Sequence, residues 1–350
     1  MLDEFGLKYK RNHPIPKIKK NQVLIKVKAV GICGTDMAIV NNTLETPIPI
    51  IPGHEISGIV EELGNDVPRD KKDMIGKLVT VEINTAICGK CYYCQSDIPT
   101  QCDARKAIGI DIDGGMAGYI AIHHDLIHLL PQGLDPKEGT LIEPLAAAVQ
   151  TFEMMPLQED DTNVVIIGAG KLGLLILQVI KALDKRNQNK NRQLMVLGHH
   201  DAKLNLAKQF GADAVVNTSN ISEQAMKRKV FSFCKGRGAD ITIEATGNPR
   251  ALNQAIYLTR KRGKIGLKST HGVPVPFDLT VAVVNELTLY TSRCGPFEKA
   301  IDLVRDELVD LKPMITEIYP LSNGIEAFND LKYSKANAIK YILEPKLDIK

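Results

Sequence analysis

The chain has 350 residues, with 44 basic and 41 acidic side chains, a formal charge of +3 and seven cysteines. This length exceeds the ~250–300 residues at which a single hydrophobic core stops growing, so two domains are expected. The near balance of charge excludes a broad field for nucleic acid or anionic lipid and leaves a small molecule as the expected partner. No apolar run reaches ~18 residues, and the N-terminus lacks a basic flank before an apolar stretch. Neither a membrane span nor a secretory signal is therefore expected, and the compartment is read as cytoplasmic. A reducing compartment and an odd cysteine count argue against a disulfide framework.

The opening basic stretch KYKRNHPIPKIKK reads as a solvated loop in preference to a phosphate-binding patch, and KALDKRNQNKNRQ further on reads the same way. From Gln22, QVLIKVKAVG alternates branched apolar residues with lysine. ISGIVEELG, KLVTVEI and YIAIHHDLIHLLP repeat the pattern between glycines and prolines, so the first ~145 residues read as mostly β.

Within this region GICGTD carries Cys33, Thr35 and Asp36, and PGHEISG carries His54 and Glu55. A catalytic zinc takes three protein ligands and keeps a fourth position open. Cys33 and His54 supply two, and Glu143 in TLIEPLAAAVQTFE or Glu55 supplies the third. Thiolate, carboxylate and neutral imidazole together bring Zn²⁺ to zero net charge, which preserves its Lewis acidity toward an alcohol oxygen. The alternative role for Glu143 is the return arm of a capping box begun at Thr140.

Cys88, Cys91, Cys94 and Cys102 follow the spacing CxxCxxCx7C, enough thiolates to close a tetrahedral structural zinc site. A ferredoxin cluster would have a shorter last interval with proline after it, whereas Asp103 follows here. Two zinc ions per chain are expected. Cys234 and Cys294 read as ordinary residues.

At Asn163 the pattern changes to strand, glycine turn and apolar helix in NVVIIGAGKLGLLILQVIKAL. Strands and helices then alternate through QLMVLG, DAKLNLAKQFG, ADAVV, SEQAMKRKVFSFCKG, ADITIEATG, PRALNQAIYLTRKRG and KIGLKS. Such alternation implies a doubly wound parallel sheet. Gly168, Gly170 and Gly173 form GxGxxG at a strand-to-helix turn, with Lys171 and Leu172 between them, the setting that binds a dinucleotide pyrophosphate. NAD-type sites place an acid at the end of the second strand. Gly198 stands there instead, followed by His199, His200 and Lys203, which favours a 2′-phosphate and hence NADP(H) over NAD(H). Asp201 reads as a helix N-cap.

Taken together, GICGTD, PGHEISGIVEELG, the cysteine lobe, EPLAAA, GAGKLG, EATG and SRCGPF make the chain resemble the zinc-dependent medium-chain dehydrogenase/reductase family, alcohol dehydrogenase-like, over essentially its whole length. The resemblance implies an α/β protein in which a GroES-like, mostly β catalytic domain (1–147 and 291–350) receives a Rossmann dinucleotide domain (148–290). It makes Cys33, His54 and Glu143 the catalytic zinc ligands, with Glu55 a carboxylate close by. Thr35 would receive the substrate proton and Asp36 would orient His54. Thr246, Gly247, Ser269, Thr270 and Arg293 would line the cofactor, and Asp111 and Asp113 either help form the substrate pocket or sit in a solvated turn. Glu143 places the chain nearer the polyol, threonine and glucose dehydrogenase branches. Ala38 stands where many relatives have the histidine that ends a proton relay.

The expected activity is hydride transfer between a small alcohol, or in reverse an aldehyde or ketone, and the nicotinamide cofactor. A threonine, polyol or sugar dehydrogenase using NAD is the alternative enzyme. A non-catalytic NADPH-binding redox sensor is the alternative of another class, and it would be marked by a lost catalytic ligand. The family commonly pairs nucleotide domains edge to edge, so a homodimer or homotetramer is expected with NELTLYTS as a candidate edge strand.

Overall fold

The computed structural model describes residues 1–270, 272–333 and 337–346. The chain divides into two compact units, Met1–Glu143 with Met314–Lys350, and Pro144–Pro313. Among the described residues no helix is long and apolar enough to cross a membrane.

The first unit is built on β1 (Gln22–Gly31), in which Val23, Ile25 and Val27 are buried while Lys28 reaches solvent. Helix α1 (Gly34–Val40) follows directly. Strand β2 (Glu55–Leu63) lies antiparallel to β1, β3 (Leu78–Val81) to β2, β4 (Tyr119–His123) to β1, and β5 (Ile127–Leu129) to β3. These are the β segments expected from the alternating pattern. Side chains of Ile25, Ile56, Val79 and Ile120 share one core.

The second unit begins on helix α2 (Ile142–Met154) and continues through β6 (Asn163–Ile167), α3 (Lys171–Arg186), β7 (Gln193–Gly198), α4 (Asp201–Gln209), β8 (Ala214–Asn217), α5 (Glu223–Phe233), β9 (Ala239–Glu244), α6 (Ala251–Leu258), β10 (Thr259–Leu267), α7 (Leu279–Val284), β11 (Thr288–Thr291) and α8 (Phe297–Arg305). Its six strands are all parallel, in the order β8-β7-β6-β9-β10-β11. Every residue of β6 and β9 is buried, as strands covered on both faces require. The order reverses beside β6, so the crevice at the carboxyl ends of β6 and β9 is where such a sheet takes a ligand.

Strand β12 (Ile315–Pro320), helix α9 (Gly324–Tyr333) and strand β13 (Lys340–Glu344) return to the first unit. β13 pairs with β12 and meets β1 at Val30 and Gly31, completing a seven-stranded sheet.

Two boundaries differ from the sequence expectation. Residues 291–313 fold with the nucleotide unit, because Lys299 of α8 reaches Glu153 at 2.6 Å and the Gln178 amide bonds both the N–H and the carbonyl of Asp310. PRALNQAIYLTRKRG is helical only to Leu258; Thr259 opens β10, with an irregular register between its first and later pairs.

Candidate functional site

Cys33 stands at the turn after β1 as the N-cap of α1, and Asp36 closes that cap from inside the helix. Asp36 Oδ2 accepts the Cys33 N–H at 2.7 Å, while its Oδ1 accepts the Gly53 N–H at 3.2 Å. One buried carboxylate thereby ties the GICGTD turn to the PGHE turn. His54 Nδ1 lies 3.6 Å from Asp36 Oδ1, a contact too long for a hydrogen bond, and Glu55 opens β2. One ligand atom from each of Cys33, His54 and Glu55 lies within 4.8 Å of the others. The hydroxyl of Thr35 sits 3.8 Å from Cys33 Sγ.

Burial pushes the Asp36 carboxyl upward, but the His54 ring and the backbone hydrogen bond from Cys33 outweigh it and hold the group below the usual range. For His54 burial pulls downward, and Asp36 with Cys33 raises it well above an ordinary imidazole. An imidazole in this setting holds a proton that a metal ion would displace. A thiol, an imidazole and a carboxylate converging in a buried place, with a carboxylate behind the imidazole, fit Zn²⁺.

Glu143, the expected third ligand, lies in the first turn of α2 as the last residue of the first unit, outside the Cys33–His54–Glu55 group. Glu55 is instead the carboxylate gathered there, and it is ion-paired with Lys340 of β13. Lys340 is fully buried and also donates to the Ile32 carbonyl at 3.0 Å. Burial pulls its ammonium down to about 8 against the opposing pull of Cys33 and Asp36. Gly31 makes room for the pair, since a Cβ there would overlap both side chains. Ala38 lies within α1.

Cys88, Cys91, Cys94 and Cys102 also present sulfurs within 4.8 Å of one another, with Cys91–Cys94 at 3.4 Å and Cys88–Cys94 at 3.9 Å. Backbone N–H groups of Lys90 and Cys91 hold the Cys88 thiol down at about 6, while burial and the neighbouring thiols push Cys94 up to about 12. All seven cysteines are free thiols. Cys234 is buried, its thiol pushed up to about 12 by burial, and is inert in the sense expected. Cys94→Ser should lower the melting temperature by at least ~5 °C, since each kcal/mol shifts a unit of this size by roughly 2–4 °C. An unchanged melting curve with full zinc content would count against a bracing role.

In the second unit Gly168 turns with φ +113°, and a Cβ there would lie 2.7 Å from the Ala245 carbonyl. A Cβ at Gly173 would overlap the Gly168 carbonyl, so α3 can pack this tightly only on glycine. Gly170, the N-cap of α3, has open space where a Cβ would point, which suits an approaching phosphate. Lys171 and Leu172 are the first helical residues after it. Gly198 ends β7, and a side chain there would begin 2.9 Å from Ala169 Cβ. His199 is exposed, its Nδ1 3.3 Å from Thr218 Oγ1. His200 is lowered by burial and then by the charges of Lys203 and His199, and Lys203 is lowered by burial. Asp201 is not the N-cap expected; His200 holds that place, and Asp201 accepts from Asn217 Nδ2 at 2.7 Å.

At the end of β9 the buried Glu244 carboxylate accepts the Thr246 N–H at 2.7 Å, the Thr246 hydroxyl at 2.6 Å and the Ser269 hydroxyl at 2.9 Å. Ser269 in turn accepts the Gly247 N–H at 2.8 Å. Thr270 and Arg293 are exposed just beyond β10 and β11. Asp111 Oδ2 accepts the Ala107 N–H of its own turn at 2.6 Å, whereas Asp113 Oδ1 accepts the N–H of the distant Ile51 at 2.8 Å.

The family profile of the alcohol dehydrogenase GroES-like domain matches residues 19–132, and that of the zinc-binding dehydrogenase matches residues 172–306. A sorbitol dehydrogenase of Halalkalibacterium halodurans is 31% identical over 95% of this chain and 94% of its own. D-arabitol-phosphate dehydrogenase of Enterococcus avium is 33% identical over 94% and 92%, and L-threonine 3-dehydrogenase of Bacillus subtilis 33% over 95% and 93%. The chain belongs to the zinc-type medium-chain dehydrogenases. The solved structure of a putative zinc-binding dehydrogenase from Sinorhizobium meliloti, bound to NADP, superposes with a TM-score of 0.86 at 27% identity over 98% of each chain. An E. coli CFT073 alcohol dehydrogenase complexed with NADH gives 0.84 at 26% over 95% and 94%.

This dehydrogenase therefore is an oxidoreductase that uses a nicotinamide cofactor. Two of its residues were not singled out from sequence. Lys340 is the lone charge inside the apolar run AIKYIL, which is the signal of a buried pair. Glu244 ends a fully buried strand, where a carboxylate needs several donors.

Proposed function

We propose that this zinc-type dehydrogenase oxidises a small alcohol or polyol, or reduces the corresponding carbonyl, with NADP(H) preferred. The reading rests on the convergence of Cys33, His54 and Glu55 in a chain of this family. Cys33 and His54 hold the catalytic ion, with Glu143 as third ligand and Glu55 within reach. Zinc when bound supplies Lewis acidity toward the alcohol oxygen, and the nicotinamide supplies the hydride acceptor. Asp36 keeps the His54 ring in register, and the Thr35 hydroxyl takes the substrate proton. Cys88, Cys91, Cys94 and Cys102 hold a second, structural zinc.

The cofactor preference is supported by Gly198, which leaves no carboxylate to repel a 2′-phosphate, and by the crowding of His199, His200 and Lys203. Lys203→Ala should weaken NADP⁺ at least ~10-fold, the effect of losing a charged hydrogen bond of ~1.5–3 kcal/mol, and leave NAD⁺ unchanged. Equal or better kcat/KM with NADH in the unaltered enzyme would overturn the preference. The names of the relatives favour a second reading, an NAD-linked polyol or threonine dehydrogenase. A panel of alcohols, polyols, threonine and semialdehydes with both cofactors, alongside zinc analysis, separates the two.

A cytoplasmic homodimer or homotetramer is part of the proposal. Strand β11 is an edge strand, and beside it in sequence Leu279, Val283 and Val284 of α7 are exposed. A single chain per particle by light scattering would refute the assembly.

A further inference from the structure

Lys268, the first residue past β10, is buried, and the zinc and proton chemistry above leaves it unused. Its backbone N–H bonds the Glu244 carbonyl of β9 at 3.0 Å. Its side chain serves the opposite neighbour. Nζ donates to the Ser292 hydroxyl at 2.7 Å and the Ser292 carbonyl at 3.1 Å, just past β11, and to the Ala147 carbonyl of α2 at 2.9 Å. Gly295 seats the same segment on α2, since a Cβ there would overlap the Ala146 carbonyl. Ser269, the next residue, ties the end of β10 back to β9 through Glu244 and the Gly247 N–H. Two consecutive residues thus join three adjacent strand ends and one helix.

We infer that Lys268 is a positioning residue for the nicotinamide half of the cofactor. A dinucleotide spans both halves of such a sheet, with its pyrophosphate on the glycine turn and its adenosine ribose at the end of the second strand, which is β7 here. The nicotinamide is left with the carboxyl ends of β9, β10 and β11, where Lys268 sits. The three donors of Nζ meet three protein oxygens, so the side chain acts by fixing the Ser292–Arg293 peptide plane rather than by touching the cofactor. Hydride transfer depends on how closely that floor holds the ring. A lysine that merely braced the sheet would serve both halves of the cofactor alike. One that sets the nicotinamide floor serves a single half, and the inference rests on the cofactor lying across these strand ends.

The test is calorimetric binding of ADP-ribose, NAD⁺ and NADP⁺ to the zinc-loaded protein. Lys268→Met, which keeps the volume of the stem, should weaken NAD⁺ and NADP⁺ by the same factor, at least ~10-fold, and leave ADP-ribose within about twofold. Lys268→Gln retains a donor for one of the carbonyls and should fall between. Ser292→Ala changes a half-buried side chain and removes one acceptor, so it should show the same split at about threefold and decides the matter if Lys268→Met does not fold. Gly170→Leu, which fills the space open to the pyrophosphate, should weaken all three ligands. ADP-ribose lost in step with NAD⁺, or no loss of either dinucleotide, would overturn the role of Lys268. All three ligands spared by Gly170→Leu would overturn the placement of the cofactor, and the inference with it.

Discussion

Cys33→Ala is expected to lower kcat/KM by about 10³-fold or more, while the fold and the nucleotide affinity survive. The size follows from the charge a Lewis acid stabilises in the transition state, several kcal/mol, where ~4 kcal/mol already corresponds to three decades. The specificity follows from geometry. The Cys33 side chain and Asp36 close the capping box of α1 between them, and Asp36 continues to accept the residue-33 N–H whatever side chain is present. Removing the thiol therefore takes away the proposed metal donor and leaves the Asp36 arm of the cap in place. The nucleotide turn at Gly168 to Gly173 belongs to the other unit, so the Kd for NADP⁺ should stay within about twofold. Zinc per chain should fall by one, because the four cysteines of the lobe are a separate group. A Cys33→Ala enzyme that turns over normally with one zinc fewer would remove the catalytic assignment.

The parts legible from sequence are those whose partners lie within a few residues. The glycine turn is one, since Gly168 and Gly173 clash or fit through their own backbones. The cysteine lobe is another, with Cys91 capping and Cys94 inside the single turn Tyr92–Gln95 and Cys88 three residues before Cys91. Asp36 and His54 sit in two recognisable short motifs, and the fold brings them to 3.6 Å. What escaped depends on pairing across the sheet. Lys340 reaches the Ile32 carbonyl over a separation of 308 residues, and only the β13–β1 register brings them together. The helix FEKAIDLVR shows the same limit from another side. Its periodicity states that one face is buried, with Phe297, Ala300 and Ile301 inside, but not which unit supplies the partner. The helix falls in the second unit, where Lys299 reaches Glu153, and that partner leaves no local trace.

Lys340→Met should destabilise the first unit by ~3–5 kcal/mol, because it leaves Glu55 buried beside Cys33 and His54 without its counter-ion. Glu55→Gln should cost less, since a buried lysine can shed its proton. The two variants should also respond to pH in opposite directions. In the native fold burial already draws Lys340 down to about 8, below the ordinary lysine value near 10.5. A base with a depressed folded pKa binds fewer protons folded than unfolded between those values, so its contribution to stability is least below pH 8 and grows as pH rises toward 10.5. Removing Glu55 lowers that pKa further and widens the window downward, so Glu55→Gln should recover stability between pH 7 and 9. In Lys340→Met the strained group is a carboxylate, which is relieved by taking up a proton, so recovery comes as pH falls from 7 toward 5. The double change Glu55→Gln with Lys340→Met should melt within a few degrees of the unaltered protein at all these values. Thermal unfolding across pH 5–9, with zinc content followed in parallel, measures all three. Parallel pH profiles for the two single variants would mean that the charges do not answer one another. On the proposed zinc site a catalytic consequence is expected: with Lys340 no longer holding it, the Glu55 carboxylate would compete for the ion's open position, so Lys340→Met should lose turnover even where it remains folded, and Glu55→Gln should restore it in the double variant.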